Sequence, residues 1–301
     1  MPDSNPSSLS RRDVMQAAAG AVATAALSGP LRAQSNADPQ GKLLLKGRIN
    51  QTVCLWCYNR MTSEQMAPEA ARLGLKGIDL LTPEQCAPLK QHGLICTMTS
   101  QASTIPVGLN RKENHGPILA KMKELIEFNA VNNYPNVIVF SGNRTANGVT
   151  VSDEEGLKNC AEGLKQMMSF AEQKKVTVCM ELLNSKVNHK DYMCDHTAWG
   201  VELCKMVGSE RFKLLYDIYH MQIMEGDVIA TLKANIQYIG HVHTAGVPGR
   251  HEIDDTQELF YPAIMRTLAD LKFTGFVGQE FVPAKPDRIA SLAEAVKICD
   301  V

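Results

Sequence analysis

The chain has 301 residues, of which 45% are hydrophobic and 21% charged, the composition of an ordinary soluble globular protein. Its 31 basic and 32 acidic residues leave a formal net charge of −1, and no block of like charge stands out. This balance argues against a nucleic-acid partner, because binding to a phosphate backbone needs an excess of Lys and Arg.

The first 34 residues have the layout of an export signal. Arg11 and Arg12 precede a mildly apolar stretch over residues 14–27, and small residues follow it. Such signals combine a basic start, a short apolar region and a cleavage site, and paired arginines are typical of the twin-arginine type. We therefore predict a cleavable twin-arginine-type signal over residues 1–34, recognised by the twin-arginine export machinery. It implies a periplasmic location without a membrane anchor after processing; a disordered amphipathic tail is the alternative.

Eight short apolar, β-branched runs follow from residue 48 onward. In chain order they read RINQTVCLWC, LKGIDLL, GLICTMT, NVIVFSG, VTVCMELL, FKLLYDI, YIGHVHTA and GFVGQEFV, and helical patterns lie between them. Strands that alternate with helices in eight units predict a closed (β/α)8 TIM barrel. We expect this single domain over residues 48–301, after a linker over residues 35–47. An open doubly wound sheet, the alternative, usually has a glycine-rich turn after its first strand, and this chain has none there.

The nine cysteines are scattered mostly through apolar runs, and their odd number does not fit a disulfide framework. Cys54 and Cys57 form a single CxxC, without the second pair or nearby His that a zinc site would need. We expect the cysteines to be buried structural thiols.

Four consecutive predicted strands carry ionisable side chains near their ends. They are Glu181, Asp217, His243 and Glu280, on strands five to eight. TIM-barrel active sites lie at the carboxyl ends of the strands, and neighbouring strands are about 4.8 Å apart, so these side chains can converge. Three carboxylates and an imidazole suit Mn²⁺ or Mg²⁺, with Zn²⁺ or Co²⁺ as alternatives. No Arg or Lys occurs within these strand ends, so we expect a cation to neutralise the cluster.

Other polar and aromatic residues near these strand ends are candidates for contact with a substrate. His220 lies three residues after Asp217, so we expect it in a loop that faces the substrate; a surface His is the alternative. Arg250, in the long polar loop after strand seven, offers a planar fork for a carboxylate or polyol, unless it forms a surface ion pair. Trp56, near the end of strand one, can stack on a sugar or belong to the core. Asn184 follows strand five and can bind substrate or support the site.

His241 shares the strand parity of His243 but lies one layer lower in the predicted barrel. We expect it to belong to the core or to support a ligand from behind.

Five segments resemble a known family. VCLWCYN, MELLN, YDIYHMQ, GHVHTAGVPGRHEID and GFVGQEFVP are similar to the hydroxypyruvate isomerase branch of the sugar isomerase/epimerase superfamily, the xylose isomerase-like barrels. The resemblance covers residues 48–284 and implies four metal ligands, Glu181, Asp217, His243 and Glu280. It also implies that Glu181 and Glu280 form the acid/base pair, that His220 and Arg250 contact substrate, and that the protein is a homo-oligomer.

The chain departs from the family pattern at two positions. Hydroxypyruvate isomerases often have Gln at the third ligand position. This chain has His243 there, and in this it resembles the ketose 3-epimerases. The epimerases carry a second Glu where this chain has Val187.

The resemblance implies a divalent-metal-dependent isomerase of a small hydroxy-keto acid or sugar. The first candidate reaction is conversion of hydroxypyruvate to tartronate semialdehyde through a cis-enediolate. A ketose 3-epimerase and an exported, non-catalytic sugar-binding barrel are the alternatives. A zinc nuclease of the endonuclease IV type would need histidines on strands two and three, and GIDLL and ICTMT contain none.

Overall fold

The strands form one closed barrel and a small hairpin in the computed structural model, which describes residues 42–58 and 60–301. They are β1 (Asn50–Cys54), β2 (Gly77–Leu81), β3 (Ile95–Thr99), β4 (Asn136–Val139), β5 (Thr145–Ala146), β6 (Val149–Thr150), β7 (Thr177–Leu182), β8 (Phe212–Asp217), β9 (Ile239–Thr244) and β10 (Phe276–Gln279). β5 and β6 pair antiparallel, and the other eight run parallel around the barrel until β10 pairs with β1. The predicted TIM barrel is therefore confirmed, and the open sheet is excluded.

The helices connect successive strands. They are α1 (Ser63–Arg72), α2 (His115–Asn132), α3 (Asp153–Lys174), α4 (Thr197–Val207), α5 (Ile218–Met224), α6 (Val228–Asn235), α7 (Tyr261–Asp270) and α8 (Arg288–Ile298). Between β2 and β3 the chain makes only two short 3-10 helices, whereas two α-helices, α5 and α6, follow β8. Within the described residues, no helix combines the length and the apolar character needed to cross a bilayer.

Strand residues alternate between the barrel interior and the layer beneath the helices. Val178 and Met180 of β7 point outward and belong to the large core that packs against the helices. The intervening inward positions contribute to a separate buried cluster, Met98, Ile138, Cys179 and Leu215. Glu181 and Asp217 have the inward parity of this cluster, so strand alternation alone places them on its upper side.

All nine cysteines lie in the described part of the chain, and each is buried and free. The prediction of structural thiols is confirmed. Burial raises the pKa of the Cys160 and Cys179 thiols well above its usual value, so these groups stay protonated and unreactive in the folded protein.

The predicted signal over residues 1–34 and most of the predicted linker lie outside the described residues. Export and the periplasmic location therefore stay predictions. The same holds for the homo-oligomer, because the structure describes one chain.

Gly77 provides a test of how closely β2 and β3 approach. A Cβ added at this position would lie 2.2 Å from the Ile95 carbonyl oxygen, a backbone atom that cannot move without disturbing the sheet. We expect Gly77→Ala to lower the free energy of unfolding by about 1–3 kcal/mol, as overpacking does. Urea denaturation measures this change.

Gly116, in α2, is the matched control because a Cβ there meets nothing within 4 Å. Gly116→Ala should leave stability unchanged or raise it slightly, since Ala has the higher helix propensity. Equal stabilities for the two variants would contradict the close approach.

Candidate active site

The four predicted strand-end side chains meet at one point. Asp217, at the end of β8, pairs in register with His243 of β9; Glu181 lies near the end of β7, and Glu280 directly follows β10. Each offers one ligand atom, and these four atoms lie within 4.8 Å of one another. All four side chains are buried. The sequence therefore predicted this convergence correctly.

The Nδ1 atom of His243 is buried and, within the described residues, makes no contact with the alignment of a hydrogen bond. It lies 2.6 Å from Glu280 Oε2 and 3.6 Å from Glu181 Oε1. Buried polar atoms without partners are rare and call for an explanation. Once the imidazole loses its proton, the Nδ1 lone pair beside three carboxylates fits a divalent cation that accepts nitrogen and oxygen ligands. Glu181, Asp217, His243 and Glu280 are thus the residues that could hold such an ion.

Arg250 neutralises part of the cluster, although no basic residue occurs within the strand ends themselves. One of its terminal nitrogens donates to Asp217 Oδ2 at 2.9 Å and to Glu280 Oε2 at 2.6 Å. The guanidinium is also held between two aromatic rings, 5.6 Å from that of Trp56 and 5.0 Å from that of Tyr219. The sequence could not show this contact because Arg250 lies in the loop after β9, outside the strands.

The two glutamates have opposite electrostatic surroundings. Burial raises the pKa of Glu181 to about 7. Burial also acts to raise the pKa of Glu280, but the charges of His243 and Arg250 outweigh it and hold that pKa well below its usual value. Without a bound cation, one carboxyl therefore favours the protonated form and its neighbour the ionised form.

His220 is neither in a loop nor on the surface, which corrects the sequence expectation. It lies in α5, directly after β8, and is buried. Its Nδ1 accepts from the backbone N–H of Asn184 at 3.1 Å and lies 2.6 Å from the Asn184 amide nitrogen, while its Nε2 lies 2.6 Å from Arg250 Nη1. Burial, followed by the charge of Arg250, lowers the pKa of His220 well below its usual value.

These contacts give His220 and Asn184 different tasks. A neutral His220 that accepts at Nδ1 carries its proton on Nε2, so two donors face each other across the contact with Arg250. An acceptor oxygen that bridges the two groups from the cavity would satisfy both. Asn184 is fully buried just after the carboxyl end of β7, where it orients the imidazole of His220.

Trp56 lies on a short 3-10 helix, Leu55–Tyr58, after β1 rather than on the strand itself. Its indole N–H donates to Glu280 Oε1 at 2.7 Å, and the ring is half-exposed. The predicted proximity to the site is confirmed, but the hydrogen bond shows that Trp56 also fixes one oxygen of Glu280.

A cavity of about 450 Å³ opens at the site, and Glu181 and Glu280 are the two members of the cluster that line it. Its polar side includes His189, His220 and Arg250. Its apolar side consists of four residues from different loops and strand ends, Leu80, Ile105, Phe140 and Leu183. Sequence reasoning missed His189 and Ile105, which lie in connections without a periodic pattern, and it did not distinguish Leu80, Phe140 and Leu183 from ordinary core residues of the predicted strands.

Asp79 of β2 is a further buried carboxylate that sequence reasoning missed. It lies beneath His243, with its Oδ2 atom 3.2 Å from His243 Nε2 and 2.6 Å from His241 Nε2. The signal was present: Asp79 interrupts the apolar run GIDLL as Asp217 interrupts FKLLYDI. His241 is buried one layer below His243, as its parity predicted.

Comparison with known proteins places the chain in a family. The family model for the xylose isomerase-like TIM barrel matches residues 69–299. The chain therefore belongs to the xylose isomerase-like TIM barrels, and the resemblance found in the sequence is confirmed.

Two curated relatives are isomerases by name. The chain is 38% identical to 2-oxo-tetronate isomerase of Cupriavidus necator over 122 residues, which are 40% of this chain and 46% of the relative. It is 35% identical to hydroxypyruvate isomerase of Escherichia coli over 105 residues, which are 34% of this chain and 40% of the relative. The matches thus span less than half of each relative's length.

Among solved structures, AP endonuclease, family 2, from Brucella melitensis superposes with a TM-score of 0.71 at 21% identity. The match covers 82% of this chain and 98% of that one. At this identity the likeness shows a shared fold alone.

Arg250 provides a test of the charge balance in the cluster. Arg250→Met removes the cation that pairs with two buried carboxylates and leaves them uncompensated. We expect the free energy of unfolding in EDTA to fall by about 3–5 kcal/mol, the usual effect of breaking a buried ion pair. Urea denaturation gives the value.

Arg48→Met is the matched control, because Arg48 pairs with Asp270 where both side chains are largely exposed. Its loss should change stability little. Equal losses in the two variants would show that Arg250 does not stabilise the carboxylate cluster.

Proposed function

We propose that the chain is a divalent-metal-dependent isomerase of a small hydroxy-keto acid or sugar, and that hydroxypyruvate is the first substrate to test. The observation that carries the proposal is the convergence of three carboxylates and the unpartnered His243 Nδ1. The names of the two curated relatives support the same reaction class. We also propose export by the twin-arginine-type signal, on the strength of Arg11 and Arg12.

The reaction moves one proton between neighbouring carbons of the substrate. Glu181 and Glu280 are the residues placed to act on it, because both carboxylates border the cavity. One glutamate takes a proton from the hydroxymethyl carbon of hydroxypyruvate, and the resulting cis-enediolate receives a proton on the former carbonyl carbon. The hydroxyl proton passes from one oxygen to the other, so that tartronate semialdehyde forms without a net gain or loss of atoms. A divalent cation, when bound, supplies positive charge that stabilises the oxygens of the enediolate.

Arg250 and His220 are suited to hold the polar end of the substrate. Arg250 Nε is buried and has no hydrogen-bond partner among the described residues. His220 Nε2 faces Arg250 Nη1, where an acceptor oxygen would relieve the contact between donors. A substrate carboxylate offers two such oxygens in the planar geometry that a guanidinium prefers.

A ketose 3-epimerase is the second candidate. The same two glutamates epimerise a carbon if the proton returns to it from the opposite face. His243 as the third ligand favours this reaction, since the epimerases share it. Val187, which replaces their second Glu, opposes it, and its side chain is exposed.

Replacing either glutamate tests its part in the proton transfer. Glu280→Gln and Glu181→Gln should each lower kcat by about 10²–10⁴, the range expected for loss of a general acid or base. Turnover of hydroxypyruvate with Mn²⁺ is followed by NMR, and circular dichroism verifies the fold. Glu154→Gln, on the exposed face of α3, is the control and should keep wild-type turnover. Wild-type rates in either active-site variant would contradict the assignment.

A substrate panel separates the reaction classes. In D₂O with Mn²⁺, an isomerase should introduce deuterium at the former carbonyl carbon of hydroxypyruvate or of a four-carbon keto acid. Deuterium at C3 of a ketose, with inversion, would indicate the epimerase. Binding of Mn²⁺ without turnover of any member of the panel would point to a non-catalytic barrel. EDTA should abolish turnover, and added Mn²⁺ should restore it.

A further inference from the structure

Asp79 lies inside the barrel, one layer below the candidate metal ligands. Its side chain is fully buried, and the proton-transfer scheme above does not use it. Its Oδ2 atom lies 2.6 Å from His241 Nε2 and 3.2 Å from His243 Nε2. Its Oδ1 atom accepts from the hydroxyl groups of Thr52 and Thr97. Each carboxylate oxygen therefore has two of these polar partners, Oδ1 from the adjacent strands β1 and β3 and Oδ2 from β9 across the barrel.

The backbone of β2 is distorted at Asp79. The register with β3 shifts on both sides of this residue, and Leu80 has a φ of 60°, in the left-handed region. Leu80 lines the cavity, whereas Ile78 and Leu81 pack in the core cluster outside the barrel. Because of this irregularity, the successive residues Asp79 and Leu80 both face the barrel interior. Such strain persists where the surrounding structure enforces it, and it often marks functional sites.

Gly278 of β10 makes room for the contact between Asp79 and His243. A Cβ at this position would lie 2.5 Å from Asp79 Oδ2 and 2.8 Å from His243 Cδ2. A side chain on β10 would therefore displace the carboxylate, the imidazole or both.

We propose that Asp79 is a positioning residue for the metal ligand His243. It accepts a hydrogen bond from Nε2–H, which places the proton of the neutral, metal-binding imidazole on Nε2 and turns Nδ1 toward Glu181, Asp217 and Glu280. Thr52, Thr97 and His241 hold the carboxylate in place through the contacts described above. This role rests on the metal site of the proposed function. It adds a residue of β2 that holds one of the metal ligands in place, which neither the family resemblance nor the names of the relatives indicate.

If Asp79 positions His243, its replacement should weaken the binding of Mn²⁺. In Asp79→Asn, of nearly the same shape, the dissociation constant for Mn²⁺ should rise by about 10–100-fold, as happens when the partner behind a ligating His is lost. Calorimetry on EDTA-treated full-length protein measures it. Asp195→Asn is the control, because Asp195 is also buried and hydrogen-bonded, but in a network with Ser185 and Arg144 outside the site. It should leave Mn²⁺ affinity unchanged.

A double-mutant cycle separates positioning from a general structural effect. In the His243→Gln background there is no imidazole to orient, so Asp79→Asn should change Mn²⁺ affinity little further. An equal loss in both backgrounds, or no loss in the wild-type background, would overturn the proposal.

A second measurement needs no variant and remains available if Asp79→Asn fails to fold. In the Mg²⁺-loaded wild-type protein, long-range ¹H–¹⁵N spectra should show His243 protonated at Nε2 and not at Nδ1. Protonation at Nδ1 would overturn the proposal. Binding of Mn²⁺ without turnover would contradict only the isomerase proposal, whereas a wild-type protein that binds no divalent cation would contradict both.

Discussion

Three carboxylates gathered at one end of a barrel repel one another, and the surrounding structure must compensate for that repulsion. Two unit charges about 4 Å apart interact by roughly 4 kcal/mol at an effective dielectric constant near 20, so a cluster of this kind is unstable without positive charge. Arg250 supplies part of that charge through its contacts with Asp217 and Glu280. The geometry of the cluster and that of the loop carrying Arg250 are therefore linked.

That loop is fixed to the connection after β10 by hydrogen bonds at Arg250 and Glu252. The Arg250 carbonyl oxygen accepts from the backbone N–H of Val282, just after β10, and the residue has a φ of 62°. The buried carboxylate of Glu252 accepts from the backbone N–H groups of Ala284 and Lys285 and from the Ser291 hydroxyl. The connection after β10 thus holds both Glu280 and the loop whose Arg250 pairs with it.

The sequence allowed prediction of those features that depend on strand alternation. Glu181, Asp217 and His243 could be placed because each lies at a countable position on a strand, and the barrel brings such positions together. Arg250 could be predicted as a residue near the site, but not as the partner of two carboxylates, since the path of a long loop follows no period. The helix at His220 was missed because α5 is short and begins directly at the strand end. Asp79 could also have been placed, because it interrupts an apolar strand as Asp217 does and ordinary alternation turns it inward; only the inward position of Leu80 depends on the irregularity in β2.

The burial of all nine thiols determines how the protein would become irreversibly inactivated under oxidising conditions. In the folded chain these groups are protected from oxidants, so an oxidising compartment leaves the native state unchanged. A chain that unfolds there exposes nine nucleophiles that have no native partners, and random disulfides then prevent its return. Under oxidising conditions the lifetime of the folded chain is therefore set by the rate of unfolding rather than by the equilibrium between folded and unfolded chains.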